Sequence, residues 1–301
     1  MIDFHTPMLD IHALTLKGFR HLPLVVEGES KEVRYAGLGL VVIYYKPTVY
    51  SFKSNRTGIV QGTNRLRLQA TKIFLEQVLR PAGIKHTYVD ISDLFVLSTL
   101  VLQPVTRENP HPFRPTDLDE EAIARLPMAP PIEVVVKSFH VGTPKHDLVG
   151  CDGISVRRNH PLFAGMKLNH DAPYPQFWVR FDWRNPFEDK TGRRLKDEAL
   201  ADSFADFLIN TAKAKQTALR MYDALNDFLS DRGIVLEDVC FFIAEDGETV
   251  FGEVSQDCGR FRSLDPNVGH IDKDVWRSGG SSDLVLEKWK MLVTLISKEP
   301  S

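Results

Sequence analysis

The chain has 301 residues and a formal net charge of −3, with 43% hydrophobic and 26% charged residues. That composition suits a globular protein with a full core of its own, and it excludes a general electrostatic pull toward nucleic acid or a membrane surface. The three cysteines, Cys151, Cys240 and Cys258, are odd in number and lack CxxC spacing, so neither a zinc site nor a disulfide framework is expected.

The N-terminal segment "MIDFHTPMLDIHALT" lacks the basic start and apolar core of a signal peptide, and no apolar run reaches the roughly 20 residues of a membrane span. A cytoplasmic protein without a membrane partner is the expectation. "EVRYAGLGLVVIYYKPTVYSF", rich in Val, Tyr and Ile with glycines at the turns, predicts strands of a small sheet. Leu66, Ala70, Ile73, Phe74 and Val78 recur at helical spacing, and Pro81 and Gly83 stop that helix. "HTYVDISDLFVLSTLVLQPV" returns to strand composition. Residues 103–131 hold seven prolines and predict a loop, with one short helix at "DLDEEAIARL".

"PIEVVVKSFHVG" is the clearest strand, and its run Val134, Val135, Val136 predicts cover on both faces. Residues 150–195 are expected to be irregular. A long helix is expected over 198–230, with Phe204, Leu208, Ala212, Leu219, Tyr222, Leu225 and Leu229 as its apolar stripe and Gly233 ending it. "IVLEDVCFFIAEDGETVFGEVS" predicts a hairpin turning at Asp246-Gly247, with Cys240 in the core. "SSDLVLEKWKMLVTLISK" closes as a helix capped by Ser282 or Asp283. Strands and helices mix without a βαβ rhythm, which predicts an α+β fold of two lobes.

The polar density of "FGEVSQDCGRFR", Phe251 to Arg262, reads equally as a solvated turn or as a ligand site. "PIEVVVKSFHVGT", "LKDEALADS", "RGIVLEDVCFFIA", "GEVSQDCGRFRSLD" and "IDKDVWR" together resemble, in order, the "PVEVVVRN..AGS", "KDDALHDP", "GIILVDFKLEFG", "DEISPDTCRLWD" and "MDKDRFR" segments of the SAICAR synthetase family, and "GESKEVRY" echoes its "GKAKxVY" loop. Those enzymes use ATP to join aspartate to a carboxylated aminoimidazole ribonucleotide in purine biosynthesis. The resemblance implies a small β-rich N-terminal lobe over residues 1–98, a larger α+β lobe over 99–301, and a cleft between them.

It also implies a phosphorylated nucleotide held by Lys137, Thr143, Asp257, Arg260 and Arg277. Such a phosphate wants guanidinium, ammonium and hydroxyl donors. Lys31 keeps one lysine of the nucleotide-covering loop, next to Gly28. His140, His146 and Asp257 are the proton-transfer groups by residue type. Asp272, Lys273 and Asp274 read individually as an exposed charged loop.

The departures from the family fall where it holds magnesium and ATP phosphates. Its Lys and Glu of "DFKLEFG" become Cys240 and Phe242, its Asp of "DEISPD" becomes Gly252, an early Asp becomes Lys53, and a loop lysine becomes Glu29. Magnesium needs oxygen ligands that Phe and Gly do not carry. The expectation is therefore a diverged enzyme on a purine or imidazole ribonucleotide 5′-phosphate without standard Mg-ATP use. Specialised nucleoside biosynthesis, as in coformycin- and pentostatin-type clusters, is a fitting setting. Two alternatives stay open. One is a true ligase with ATP and magnesium held by relocated ligands such as Glu253, Asp238 or Glu245. The other is a non-catalytic nucleotide-binding scaffold. A homo-oligomer stays open as well.

Overall fold

A computed structural model describes residues 9–51, 56–142, 152–185, 187–192 and 195–298. A short helix, α1 (Leu16–His21), leads into strands β1 (Leu24–Glu27), β2 (Lys31–Gly37), β3 (Leu40–Tyr45), β4 (Thr48–Ser51) and β5 (Arg56–Ile59). Helix α2 (Thr63–Phe74) runs on into a wider turn at Leu75–Leu79, and β6 (Tyr88–Ile91) and β7 (Phe95–Thr99) form a hairpin. The proline-rich segment carries α3 (Glu120–Ala124), capped by Asp119. Then come β8 (Ile132–Phe139), the two-residue strands β9 (Ile154–Ser155) and β10 (Lys167–Leu168), β11 (Pro173–Trp183), β12 (Glu198–Leu200) and α4 (Asp202–Ala205). Helix α5 (Thr211–Ser230), β13 (Ile234–Ile243), β14 (Val250–Phe251), β15 (Gly259–Ser263), α6 (Asp274–Arg277) and α7 (Ser282–Ile296) complete the chain.

Two mixed-order sheets organise these elements. The first, β1-β2-β3-β7-β6, lies within residues 24–99; the second runs β12-β11-β8-β13-β14, with β15 also on β13. β8 is flanked by β11 and β13, which explains its continuous apolar run: Val134 and Val136 are fully buried, and Val135 nearly so. One cluster of buried side chains draws on both sheets, from Tyr35 and Phe74 to Val136, Tyr222 and Leu292. Among the described residues no helix is long and apolar enough to cross a membrane.

Three expectations need correction. Residues 150–195 are not irregular throughout, because β11 pairs with β8 over seven positions. The mixed Pro, aromatic and charged composition of "PYPQFWVRFDW" hides a strand whose faces meet different surroundings. The helix expected over 198–230 starts only at Thr211, where Asn210 accepts from the Lys213 amide. Its upstream part is β12 and α4, and Phe204 and Phe207 stay exposed. The last helix is capped by Ser281, whose hydroxyl accepts from Leu284, one residue before the expected pair. Gly233 does take the left-handed conformation, at φ 68°.

The approach of β15 to β13 demands a glycine at 259. A Cβ there would lie 2.7 Å from the Asp238 carbonyl oxygen. Gly259→Ala should therefore destabilise the protein by about 1–3 kcal/mol through forced strand displacement. Chemical denaturation of the variant checks this, and an unchanged midpoint would show that the strands yield freely.

Candidate active-site cleft

Side chains alternate across a strand, so residues opposite one another in a ladder share a face. β8 pairs Lys137 with Asp238 and Trp178, and Val135 with Cys240 and Arg180; Glu133 lies opposite Asp182. β15 adds Arg260 opposite Asp238. One face of the second sheet thus carries Glu133, Lys137, Arg180, Asp182, Asp238, Cys240 and Arg260, while Val134, Val136 and Phe241 pack on the other.

At one end of this face, cations and carboxylates interlock. Lys137 Nζ donates to Asp238 and, at 2.9 Å, to the Val141 carbonyl. Arg260 donates to Asp238 at 2.5 Å and to Asp274 at 2.9 Å, and Arg277 donates to Asp274. Burial alone would raise the Asp238 carboxyl, but the charges of Arg260 and Lys137 outweigh it and hold it well below the usual carboxylate range. Burial pushes the Lys137 ammonium below its ordinary value against the pull of Asp238. Gly142, at φ 67°, lets the loop after β8 lie on the Arg260 guanidinium, since a Cβ there would sit 2.6 Å from Nη1.

The "SQDCGR" segment is tied down by a second buried cluster. Arg67, on α2, is fully buried and grips Glu253 with two donors, at 2.7 and 2.5 Å. Lys31 lies 2.9 Å from the same carboxylate. Ser255 donates its hydroxyl to Glu253 and accepts the Asp257 amide at 3.1 Å. Asp257 faces Lys273 at 3.1 Å and Arg67 at 3.9 Å. Burial works against ionisation of both acids, yet Arg67 and Lys31 at Glu253, and Lys273 and Arg67 at Asp257, keep them ionised.

The other end of the face is aromatic. The Phe242 ring packs on Phe251, 5.7 Å between centroids, and roofs Gly252, where a Cβ would meet Phe242 Cδ2 at 2.8 Å. The Arg184 guanidinium sits 4.9 Å over the Phe242 ring and 3.3 Å from Glu133. Burial raises the carboxyls of both Glu133 and Asp182 from their ordinary values, against the opposing charges of Arg184 and Arg180.

The structure interlocks Lys137, Arg260 and Arg277 through Asp238 and Asp274 and sets Asp257 in the Glu253 cluster, facing Lys273, while Thr143, His146 and Lys53 lie outside the described residues. His140 is 2% exposed, its ring 5.0 Å from His170 and 5.5 Å from Tyr174. Asp272, Lys273 and Asp274 are not an exposed loop. Asp272 is fully buried and accepts the Phe261 and Asp274 amides, and its two neighbours bind Asp257, Arg260 and Arg277. Cys240 is half-buried on the cleft face and not in the core. Of the relocated metal ligands considered, Asp238 and Glu253 are engaged by cations and Glu245 is exposed beyond the end of β13. Sequence reasoning missed Arg67, although its spacing to Ala70 and Phe74 puts it on the buried stripe of α2.

The sequence profile of the SAICAR synthetase family matches residues 24–292. The chain belongs to the SAICAR synthetase family. It is 27% identical, over 90% of its length and 32% of the other's, to the bifunctional cordycepin biosynthesis cluster protein 3 of Cordyceps militaris, so it spans about a third of that relative. It is 24% identical, over 72% of this chain and 71% of the other, to the phosphoribosylaminoimidazole-succinocarboxamide synthase of Methanobrevibacter smithii. The fold matches the Ehrlichia chaffeensis phosphoribosylaminoimidazole-succinocarboxamide synthase with a TM-score of 0.68 at 16% identity, covering 93% of this chain and 100% of that one. The α+β fold expected from the sequence is thus the fold of this family of enzymes.

Glu253→Ala would leave Arg67 buried without its counter-charge and should cost about 3–5 kcal/mol in stability, read by denaturant unfolding. The depressed carboxyls of Asp238, Glu253, Asp257 and Asp274 are protonated earlier in the unfolded chain, near pH 4, than in the native one. Their contribution is present above that pH and lost as pH falls toward the native values. Melting temperature should drop on that acid limb, and Asp238→Asn should flatten it; an unaltered limb would remove Asp238 from the account.

Proposed function

We propose that the chain is an enzyme acting on a purine or imidazole ribonucleotide 5′-phosphate, and that it does not use Mg-ATP in the manner of the family's ligases. The observation that carries this reading is the contrast between the two ends of the cleft. Arg260 and Arg277 are oriented by Asp238 and Asp274, with side chains 16% and 26% exposed, so an anion can reach guanidinium groups that are already fixed. Lys137, at 2% exposure, supports that pair from behind through Asp238. Asp257 stays ionised, which suits accepting hydrogen bonds from ribose hydroxyls or base amines better than taking a proton at neutral pH. Glu133, on the same face and raised by burial, is by its protonation the better suited proton-transfer group.

At the other end, the residues do not fit a magnesium ion. Phe242 and Gly252 offer no side-chain oxygen, the ring fills the space over the glycine, and Glu253 and Lys31 are bound to each other. Arg184 brings a fixed positive charge there instead. The Cordyceps militaris relative, named for a cordycepin cluster, supports a setting in nucleoside-antibiotic biosynthesis.

Calorimetry with AMP as probe tests the phosphate end. Arg260→Ala should weaken binding by roughly ten- to a hundred-fold, the loss of a charge-assisted hydrogen bond; equal affinity in the variant removes Arg260 from the site. Mg-ATP should bind weakly beside AMP. Micromolar, magnesium-dependent ATP binding together with ADP formation in the presence of aspartate and the carboxylated imidazole nucleotide would restore the ligase. Tight AMP binding with no turnover of any phosphoribosyl purine intermediate, followed by mass spectrometry, would leave a scaffold.

A further inference from the structure

Cys240 and Cys258 lie across from one another at the end of the β13–β15 ladder. The register runs Asp238 opposite Arg260 and Val239 opposite Gly259, and the next step brings Cys240 to Cys258. The Cys240 amide donates to the Cys258 carbonyl at 2.8 Å, and the Cys240 thiol reaches the same oxygen at 3.0 Å. Residues opposed in an antiparallel ladder have Cα atoms about 4.5–5.5 Å apart, inside the roughly 4.4–6.8 Å that a disulfide spans. Both residues are free thiols of intermediate exposure.

Cys258 also leaves the ladder at this point. Its amide turns back to the Ser255 carbonyl at 2.9 Å and its thiol points to the Glu253 carbonyl at 3.3 Å. The backbone there belongs to a turn and not to a continuing strand, so its sulfur can rotate toward Cys240 without breaking sheet pairing.

We propose that Cys240 and Cys258 form an oxidisable dithiol in the cleft, a modification site that closes reversibly into a disulfide. With hydrogen peroxide as oxidant, one thiolate attacks a peroxide oxygen, the O–O bond breaks, and a sulfenic acid forms as the first water leaves. The second sulfur then displaces the sulfenic oxygen. The S–S bond forms, the S–O bond breaks and a second water departs, so two thiols lose two electrons and two protons to one peroxide. The hydrogen bond with Cys258, together with burial, raises the Cys240 thiol well above its ordinary value, so in this second step its proton passes to the departing hydroxide as the S–S bond forms. The bond tethers the loop that carries Asp257 to the strand that carries Asp238.

Both cysteines fall in one tryptic peptide, residues 233–260, whereas cleavage after Glu245, Glu248 and Glu253 separates them. The full chain is treated with hydrogen peroxide, alkylated, and digested without reduction. The expected result is a tryptic peptide lighter by two hydrogens, linked fragments after glutamate-specific cleavage, and recovery of both alkylation sites on adding dithiothreitol. Cys151 should remain alkylated throughout. In Cys258→Ser, an isosteric change, Cys240 should stay alkylatable after the same treatment. Independent alkylation of Cys240 and Cys258 after peroxide, or linkage of either to Cys151 or to a second chain, would overturn the assignment.

Discussion

The two sheets are joined by a buried charge. Glu253, fully inaccessible, is held by Arg67 from α2 and Lys31 from β2, so the first hundred residues supply the cations for a carboxylate in the second sheet's last loop. Taking Glu253 and Arg67 fully out of water is costly, and removing either leaves the other an unpaired buried charge. The pairing ties α2, β2 and the 253–258 loop to one another across the two sheets. The Arg67 guanidinium also lies 5.0 Å over Tyr45, which adds an aromatic neighbour to the ion pair. From Glu253 the order passes through Ser255 to the Asp257 amide, and so to the side chain that faces the cleft.

A second constraint shapes the cleft itself. Lys137, Arg260 and Arg277 crowd together, and without Asp238 and Asp274 their mutual repulsion would spread them apart. The two carboxylates neutralise part of this charge and aim the donors. Under the function proposed above, a phosphate would meet groups that need little reorganisation, which is where a binding site gains affinity. Gly142 and Gly259 allow the close backbone approaches on which this geometry rests.

The residues at the aromatic end depend on one another. Phe242 could not lie over residue 252 if a side chain stood there, and Gly252, at φ 89°, is in a conformation that favours glycine. The ring and the glycine are therefore one packing solution. It sets a ring with a guanidinium above it at one end of the face, while the other end is built of paired charges.

Much of this was legible locally. The Val134–Val136 run announced a central strand, the Asp246-Gly247 turn a hairpin, and Gly233 the end of α5. Lys137, Asp257, Arg260 and Arg277 could be singled out because ordered motifs flank them. Other features depended on partners distant in the chain. β11 carries an irregular composition because one face meets the charged cleft and the other meets α5, where Phe177 packs on Tyr222 at 4.6 Å. Whether Arg67 is a solvated helix residue or a buried one depends on Glu253, 186 positions away. Asp272, Lys273 and Asp274 look like a solvated loop in one dimension, and become buried partners only when α6 is laid against β15. The sequence by itself determined the apolar periodicities, the turns and the residue types available for chemistry, because these act over a few neighbours. The tertiary structure decided which charges pair and which face is polar, because a charge can be buried only where a distant partner compensates it.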